Sequence, residues 1–396
     1  MKDSLHEALI YAFSHPLALA FAETTRRMGD VVDVPFVGRV VSDPEIAREI
    51  LLDSKHFNKS GPGSFGAVIT QVMGDYALLN MDGEPHLRLR GRLHDLFAPA
   101  YLDTVDQEVL SAPIDEFCYR LAAGETLDVV RFAQLLTGRT TWHMLGMTAP
   151  ESDAEARYLE LFELTRRLTA SIRLSTRRLS ADKAVLKRTT FARLTAPIAE
   201  AYTSGKFPDR SVIARLKQLG LTADEARGVV AAILIAGTET LSTAIPRTVA
   251  LLVDSGQQAV LRAEPGLMQG AIDEALRVVV PTPIMLRSVA ADVEIGGFNF
   301  RSGQRVMLLT YSLLKNAAAY PRPRRFDIRR AQPAATRNLW FGAGHHFCLG
   351  FALAQREMRS VLNAVIALPR ELVVRRRTYA RGVLIPGYAR LEVQMR

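Results

Sequence analysis

The chain has 396 residues, 48% of them hydrophobic, so a large core is possible, and its formal charge is +9. Two cysteines, Cys118 and Cys348, exclude a disulfide framework and suit a reducing compartment. The charge admits nucleic acid, a membrane surface or an acidic protein; no nucleic-acid module is visible, which favours the last two.

In chain order, Met1 to Ala22 is apolar in places but broken by Ser14, His15 and Pro16. No run there approaches the roughly 20 residues that span a bilayer, and no basic start precedes a small-residue cleavage site. A short amphipathic helix is expected, with no transmembrane segment. Val31 to Val41 reads as a hairpin turning at Gly38. Asp43-Pro44 starts a helix, Asp43 as N-cap and Pro44 in the first turn. Residues 59–80 are Gly- and Ser-rich, then apolar through Phe65, Val68, Ile69, Val72 and Met73. This reads as a long loop, either a substrate lid or an ordinary packed loop.

Met81 to His86 opens a basic helix. His86 and Arg90 lie four apart on one face and suit an anionic group. From Leu102 to Gln218 the pattern is almost wholly helical, with Asp128 capping a helix that ends near Gly146. A basic stretch follows: Arg166, Arg167, Arg173, Arg177, Arg178, Lys183, Lys187 and Arg188. It fits a solvated face, a membrane surface, a carrier protein or an acidic substrate.

Thr222 and Glu225 form a capping box for the longest helix, running to about Asp254, with Pro246 marking a kink or an earlier end. Its middle, Val229 to Ala236, is apolar all round and calls for burial. Into that run the chain sets Ala236-Gly237-Thr238-Glu239-Thr240. Glycine costs about 1 kcal/mol against alanine inside a helix, and carboxylates are rarely buried unpaired. Either function requires these residues, or the helix kinks locally with Thr240 bonded back to a carbonyl. Glu274 and Arg277 can pair at i, i+3 on a further helix. Pro281-Thr282-Pro283 stops that helix, and Ile284 to Arg287 extends as a strand. Gly296, Gly297, Gly303 and Val306 to Leu309 indicate a small β region. Leu372 to Val374 and Leu391 to Val393 read as strands flanking a turn at Leu384 to Gly387.

The stretch Phe341 to Gly350 gathers Gly342, Gly344, His345, His346, Cys348 and Gly350 just before a helical pattern. The glycines let the backbone turn tightly and approach something flat. A helix start favours a thiolate, the form that binds metal. A zinc site lacks a fourth ligand at suitable spacing.

This loop resembles the haem-binding signature of the cytochrome P450 family. The family's Phe, its Gly three positions on, its basic residue, its Cys and its Gly two further fall on Phe341, Gly344, His346, Cys348 and Gly350. The motifs match in family order from about residue 30 to the C-terminus. The resemblance implies a mainly α fold with small β-sheets, the triangular helix-rich P450 fold, as one haem domain over residues 1–396. It implies haem b with Cys348 as axial thiolate, and His86, Arg90, Arg287 and His346 at the propionates. Glu239 and Thr240 become the acid–alcohol pair above the iron, where the helix opens and Ala236 and Gly237 form the oxygen pocket. Phe65, Ile69, Val72, Ile233, Pro283, Ile284, Met285 and Ile385 become the substrate pocket. Glu274 and Arg277 become a buried brace joined by another Arg; the family's Pro-x-Arg-Phe pattern on Pro323, Arg325 and Phe326 favours Arg325 over Arg330. One departure stands out: after Asn316 the family has Arg-Asp-Pro, and this chain has Ala317-Ala318-Ala319-Tyr320-Pro321.

The activity implied is insertion of one oxygen atom from O2 into a hydrophobic small molecule. A thiolate ligand pushes electron density to iron and favours O–O cleavage. With no dinucleotide fingerprint and no four-cysteine cluster set, the electrons come from a small acidic ferredoxin or flavodoxin with its reductase, docking at Arg88, Arg92, Arg356 and Arg359. A monomeric, cytoplasmic protein is expected. A second reading keeps the haem but uses peroxide, or isomerises without reductant. The Glu239–Thr240 pair speaks against it, because a proton relay serves O2 activation. A third is a non-catalytic haem-binding or gas-sensing protein; the apolar segments near 65–73 and 283–286 favour a substrate pocket instead.

Overall fold

The computed structural model describes residues 2–61, 64, 66–147, 151–169 and 179–396; Phe65, Arg173, Arg177 and Arg178 lie outside them. Helices dominate. The first seven are α1 (Lys2–Ser14), α2 (Pro16–Met28), α3 (Pro44–Leu52), α4 (Gly66–Met73), α5 (Gly83–Leu93), α6 (Pro99–Val105) and α7 (Ser111–Ala122). Then come α8 (Val129–Leu145), α9 (Ala154–Thr169), α10 (Ala181–Ser204), α11 (Val212–Gln218) and α12 (Ala223–Ser255). The last four are α13 (Gln257–Ala263), α14 (Met268–Val279), α15 (Thr310–Leu313) and α16 (Phe351–Ala367).

Three small sheets accompany them. Strands β1 (Val31–Val34), β2 (Gly38–Val41), β3 (Phe57–Asn58), β5 (Met285–Val289) and β8 (Arg305–Leu308) form one sheet, in the order β1-β2-β8-β5-β3. Only β2–β8 is parallel in it. Strand β4 (Leu127–Asp128) joins β10 (Tyr388–Met395) and β9 (Leu372–Tyr379), and β6 (Val293–Ile295) pairs with β7 (Phe298–Phe300).

The long helix organises the core. Its capping box is complete: Thr222 N–H donates to Glu225 Oε2 at 2.7 Å, and Glu225 N–H donates to Thr222 Oγ1 at 3.3 Å. It passes Pro246 without ending and stops on left-handed Gly256. At 1.5 Å per residue it spans about 50 Å. Val229 to Leu234 belong to one hydrophobic cluster and Leu241 to Leu252 to another. The two clusters part at Ala236–Thr240, where the chain placed its glycine, acid and hydroxyls. Among the described residues α12 alone is long and apolar enough to cross a membrane, and most of its apolar window is buried inside the protein. It is therefore a core helix.

Three local expectations need correction. The hairpin turns at Pro35–Val37, with Phe36 at φ 64 and 90% exposed, while Gly38 opens β2. At Gly38 a Cβ would lie 2.5 Å from Arg305 O, so close strand approach is the reason for that glycine. The segment 59–80 is not all loop. Val68, Ile69, Val72 and Met73 have helical spacing and form α4, and Asn80 Nδ2 fastens it by donating to Gly66 O and Thr70 Oγ1. At the start there are two helices, broken at His15–Pro16.

Candidate haem site

The Cys348 loop is a series of tight turns. Cys348 N–H donates to Phe341 O at 3.0 Å, and Phe347 N–H donates to Gly344 O at 3.0 Å. Gly342 and Gly344 have φ of 77 and 67. At Gly344 a Cβ would lie 2.3 Å from Leu51 O, so the loop rests directly on the backbone at the end of α3. At Gly350 the nearest atom to such a Cβ is Cys348 Sγ, at 3.9 Å. The Phe341 ring packs edge-on to Phe351 at 5.0 Å and Phe347 at 6.2 Å. Helix α16 begins at Phe351 with Gly350 as its N-cap, so Cys348 stands just outside the helix. Burial pushes the thiol up, against the downward pull of the Gly350 N–H, Arg90 and Lys59. A helix start alone does not make this a thiolate; it needs a cation close to the sulfur, such as a metal.

Cations crowd one side of this loop. Arg90 Nη2 donates to Phe347 O. The His86 ring is buried and sits 4.3 Å from the His346 ring; burial, Arg90 and Lys59 hold His86 down to about 4. Burial likewise pushes His346 down to about 3, although its Nε2 lies 3.1 Å from Asp82 Oδ1. Arg287 is buried on β5 and donates from Nη1 to the Leu286 carbonyl at 2.8 Å; loss of water lowers it to about 10. Lys59 donates from Nζ to Leu79 O at 3.0 Å, and is lowered to about 7 by desolvation, Arg287 and Arg90.

Asp82 is the carboxylate in their midst. It occupies the N-cap position of α5 without capping it, and its Oδ2 instead accepts from the N–H groups of Lys59 at 2.9 Å and Ser60 at 2.7 Å. Burial raises its carboxyl, but His346, the Ser60 hydroxyl and these N–H groups carry it well below the usual carboxylate range. A cavity of about 70 Å³ lies among Asp82, His86, Arg287, His345 and His346.

Whether these residues suit a haem can be judged from unmet bonding. His86 Nδ1 is buried with no partner, and the cations about Arg287 outnumber the one carboxylate among them. Buried cations require anions, and a flat dianionic group lying against a Gly-lined cysteine loop satisfies both needs. The residues fit. Lys59 and Asp82 were missed from the sequence: Lys59 lies in a Gly/Ser loop without periodicity, and Asp82 read as a routine helix opener.

On α12 the helix stays unbroken through Ala236–Thr240, so the expected opening is absent. Thr240 Oγ1 donates back to Ala236 O at 2.8 Å, the local alternative. Ala236 is exposed between buried Leu234 and Thr238. Gly237 instead faces α8: a Cβ there would lie 3.2 Å from Thr141 Oγ1, so helix packing is a reason for this glycine. Glu239 turns to α9, with Oε1 3.3 Å from Thr169 Oγ1 and Oε2 buried without a partner. Burial raises it to about 7, opposed by Thr169 and Arg166.

Of the expected pocket residues, Ile69 and Val72 on α4, Ile233 on α12, Pro283 just before β5, Met285 at its start, and Ile385 are half-buried. The Met285 Sδ lies 3.7 Å from where a Gly342 Cβ would stand, so it borders the cysteine loop. Ile284 leaves this set: strand alternation turns it with Leu286 onto the cluster of Tyr11, Met307 and Tyr311.

The brace is buried, and its third member is Arg330, not Arg325. Arg277 Nε and Nη2 meet Glu274 Oε2 and Oε1 at 2.6 and 2.8 Å, and Arg330 Nε meets Oε1 at 2.9 Å. Arg325 is exposed and offers only its carbonyl, because Phe326 takes the buried position beside it. Tyr320 fills the departure from the family pattern. Its ring lies 4.7 Å from the Arg277 guanidinium, and its hydroxyl lies 2.7 Å from Thr336 Oγ1.

The chain is similar to several known proteins. The family model described as Cytochrome P450 matches residues 203–368. Cytochrome P450 105A3 of Streptomyces carbophilus is 28% identical, covering 89% of this chain and 86% of its own. The C-19 steroid 1alpha-hydroxylase of Sorangium cellulosum is 26% identical over 83% of each chain. The crystal structure of P450BioI in complex with acyl carrier protein ligated to hexadec-9Z-enoic acid superposes with a TM-score of 0.81 at 23% identity, covering 95% of this chain and 97% of the other. Sequence and fold point the same way, and the chain resembles the cytochrome P450 family of haem-dependent monooxygenases along most of its length.

Proposed function

We propose that this P450 is a single haem domain over residues 1–396 that holds haem b through Cys348 and adds one oxygen atom from O2 to a hydrophobic small molecule. The observation that carries the reading is the pairing of Cys348, in its glycine loop, with the cations Lys59, Arg90 and Arg287 on one side. When bound, the haem supplies the redox chemistry that activates O2. Arg90, Arg287, Lys59 and His86 would meet its carboxylates, with Asp82 orienting His346. Phe341 and Gly350 shape the ground around the sulfur. Glu239 and Thr240 hold and pass a proton, and Ala236 leaves room beside them. Ile69, Val72, Ile233, Pro283, Met285 and Ile385 orient an apolar substrate and exclude water.

The substrate class is a lipid, terpenoid, steroid or polyketide-like molecule. A relative that hydroxylates C-19 steroids and a fold relative in complex with an acylated carrier protein both fit that range. Electrons come from a separate acidic ferredoxin or flavodoxin with its reductase, in the cytoplasm. Arg88 and Arg92 are exposed, with Arg88 4.0 Å from Glu84, whereas Arg356 is engaged with Asp103 and Asp106.

A carbon monoxide difference spectrum tests the reading. The expected band lies near 450 nm, as the family name states, and vanishes in Cys348→Ala. Screening apolar compounds for a Soret shift, then for products by mass spectrometry, identifies the substrate. Equal turnover with peroxide and no reductant would replace the O2 reading by a peroxygenase.

A further inference from the structure

Away from the haem site, a cavity of about 250 Å³ opens between α1, α2, the end of α14 and α15. Its walls are largely apolar, with Ala8, Leu19, Ala20 and Val278 among them. Buried Lys315 also lines it. The Lys315 Nζ donates to Val278 O at 2.9 Å and lies 4.1 Å from the centre of the Tyr311 ring. An ammonium has three protons to give, and a carbonyl and a ring face are modest compensation for lost water.

The nearby carboxylates are committed elsewhere. Glu7 binds Arg247 through both oxygens, and Glu23 binds Arg26 and Arg324. Both carboxylates that line the cavity, Glu7 and Glu23, are thus taken up by arginines, and among the described residues Lys315 is the lining cation with no carboxylate in an ion pair. Loss of water holds its ammonium well below the ordinary lysine range, although Glu7 acts the other way. An anion delivered into the cavity would complete it. The volume falls just under the roughly 300–1,000 Å³ usual for drug-sized guests, so the guest is smaller than those.

We propose that this cavity is a second ligand site for a small amphipathic monoanion, a medium-chain carboxylate. Its head group sits on Lys315 and its chain runs along Leu19 and Ala20. The site is separate from the cysteine loop and does not depend on the oxidative reading.

Octanoate is the probe, titrated calorimetrically into the haem-loaded protein while the Soret band is recorded. One binding event that leaves the Soret band in place is expected. It weakens at least tenfold in Lys315→Met, and also in Ala20→Trp, which fills the mouth without touching the ammonium. Octanol, equal in length but uncharged, binds at least tenfold more weakly than octanoate. Both variants keep the wild-type carbon monoxide spectrum, which reports that they fold. Unchanged affinity in both variants, octanol binding as well as octanoate, or binding always accompanied by a Soret shift overturns the proposal. So does an absence of binding at millimolar octanoate.

Discussion

The Thr169 hydroxyl, at the end of α9, lies 3.3 Å from the Glu239 carboxylate in the middle of α12. The acid thus faces α9, while neighbouring Thr240 is bonded to its own helix. Because burial raises Glu239 to about 7, it is mostly neutral below that pH and mostly charged above it. As a proton donor it weakens as pH rises through 7. Glu239→Gln should lower substrate-coupled turnover by about 10²-fold, within the range of general acid catalysis. Thr169→Val removes a bond that lowers the carboxyl, so the pH profile of turnover should move upward. A profile identical in wild type and both variants would sink this role.

Glu357 gives a second pH effect, on stability. It is buried on α16 with Oε2 unpartnered, and loss of water raises it to about 8 against a modest pull from Thr140. With no cation paired to it among the described residues, the buried Glu357 carboxyl is best accommodated in its neutral form. The folded state therefore holds a proton that the unfolded state releases near pH 4.5. Stability from this group is complete below that value and is lost as pH rises through about 8. The cost is on the order of a few kcal/mol at alkaline pH. Melting temperature should fall between pH 5 and 9, and Glu357→Gln should flatten that slope. An equally steep slope in the variant would reject the assignment.

Arg330 and Arg325 separate by energy. Arg330→Ala leaves Glu274 short of one buried partner and should cost about 3–5 kcal/mol. Arg325→Ala removes an exposed side chain and should stay within about 0.5 kcal/mol. Urea denaturation of the two variants compares them; a larger loss at Arg325 would refute the network as drawn.

Lys59→Met and Arg287→Met should each loosen haem. A charge-assisted hydrogen bond contributes about 1.5–3 kcal/mol, which corresponds to a tenfold or greater rise in the rate of haem loss. Transfer to an apo-globin acceptor measures that rate. Wild-type transfer rates in both variants would remove these residues from the carboxylate clamp.

Much of this was legible in the chain. Thr222 and Glu225 announced the start of α12, Asp128 and Gly146 bounded α8, and the Phe341–Gly350 loop named the chemistry. These signals are local, each resting on a few adjacent residues with one physical requirement. The failures involve distant partners. Nothing in Pro323 to Arg330 says which arginine turns inward, because the deciding event is burial of Phe326. Glu239 and Thr169 are far apart in sequence, and no spacing rule joins them. Ile284 was misplaced for lack of strand phase, which only the pairing of β5 with β8 supplies. The packing reason for Gly237 is also hidden, because its neighbour α8 is invisible from α12 alone.

Gly344 rests on the carbonyl of Leu51, with no room for even one methyl group between them. The height of the sulfur is therefore gauged from the end of α3, nearly 300 residues earlier in the chain. For anyone recombining members of this family, that contact makes the two segments a single heritable block. A chimera that takes its cysteine loop from one parent and its α3 terminus from another should lose haem loading. One that moves both together should keep it.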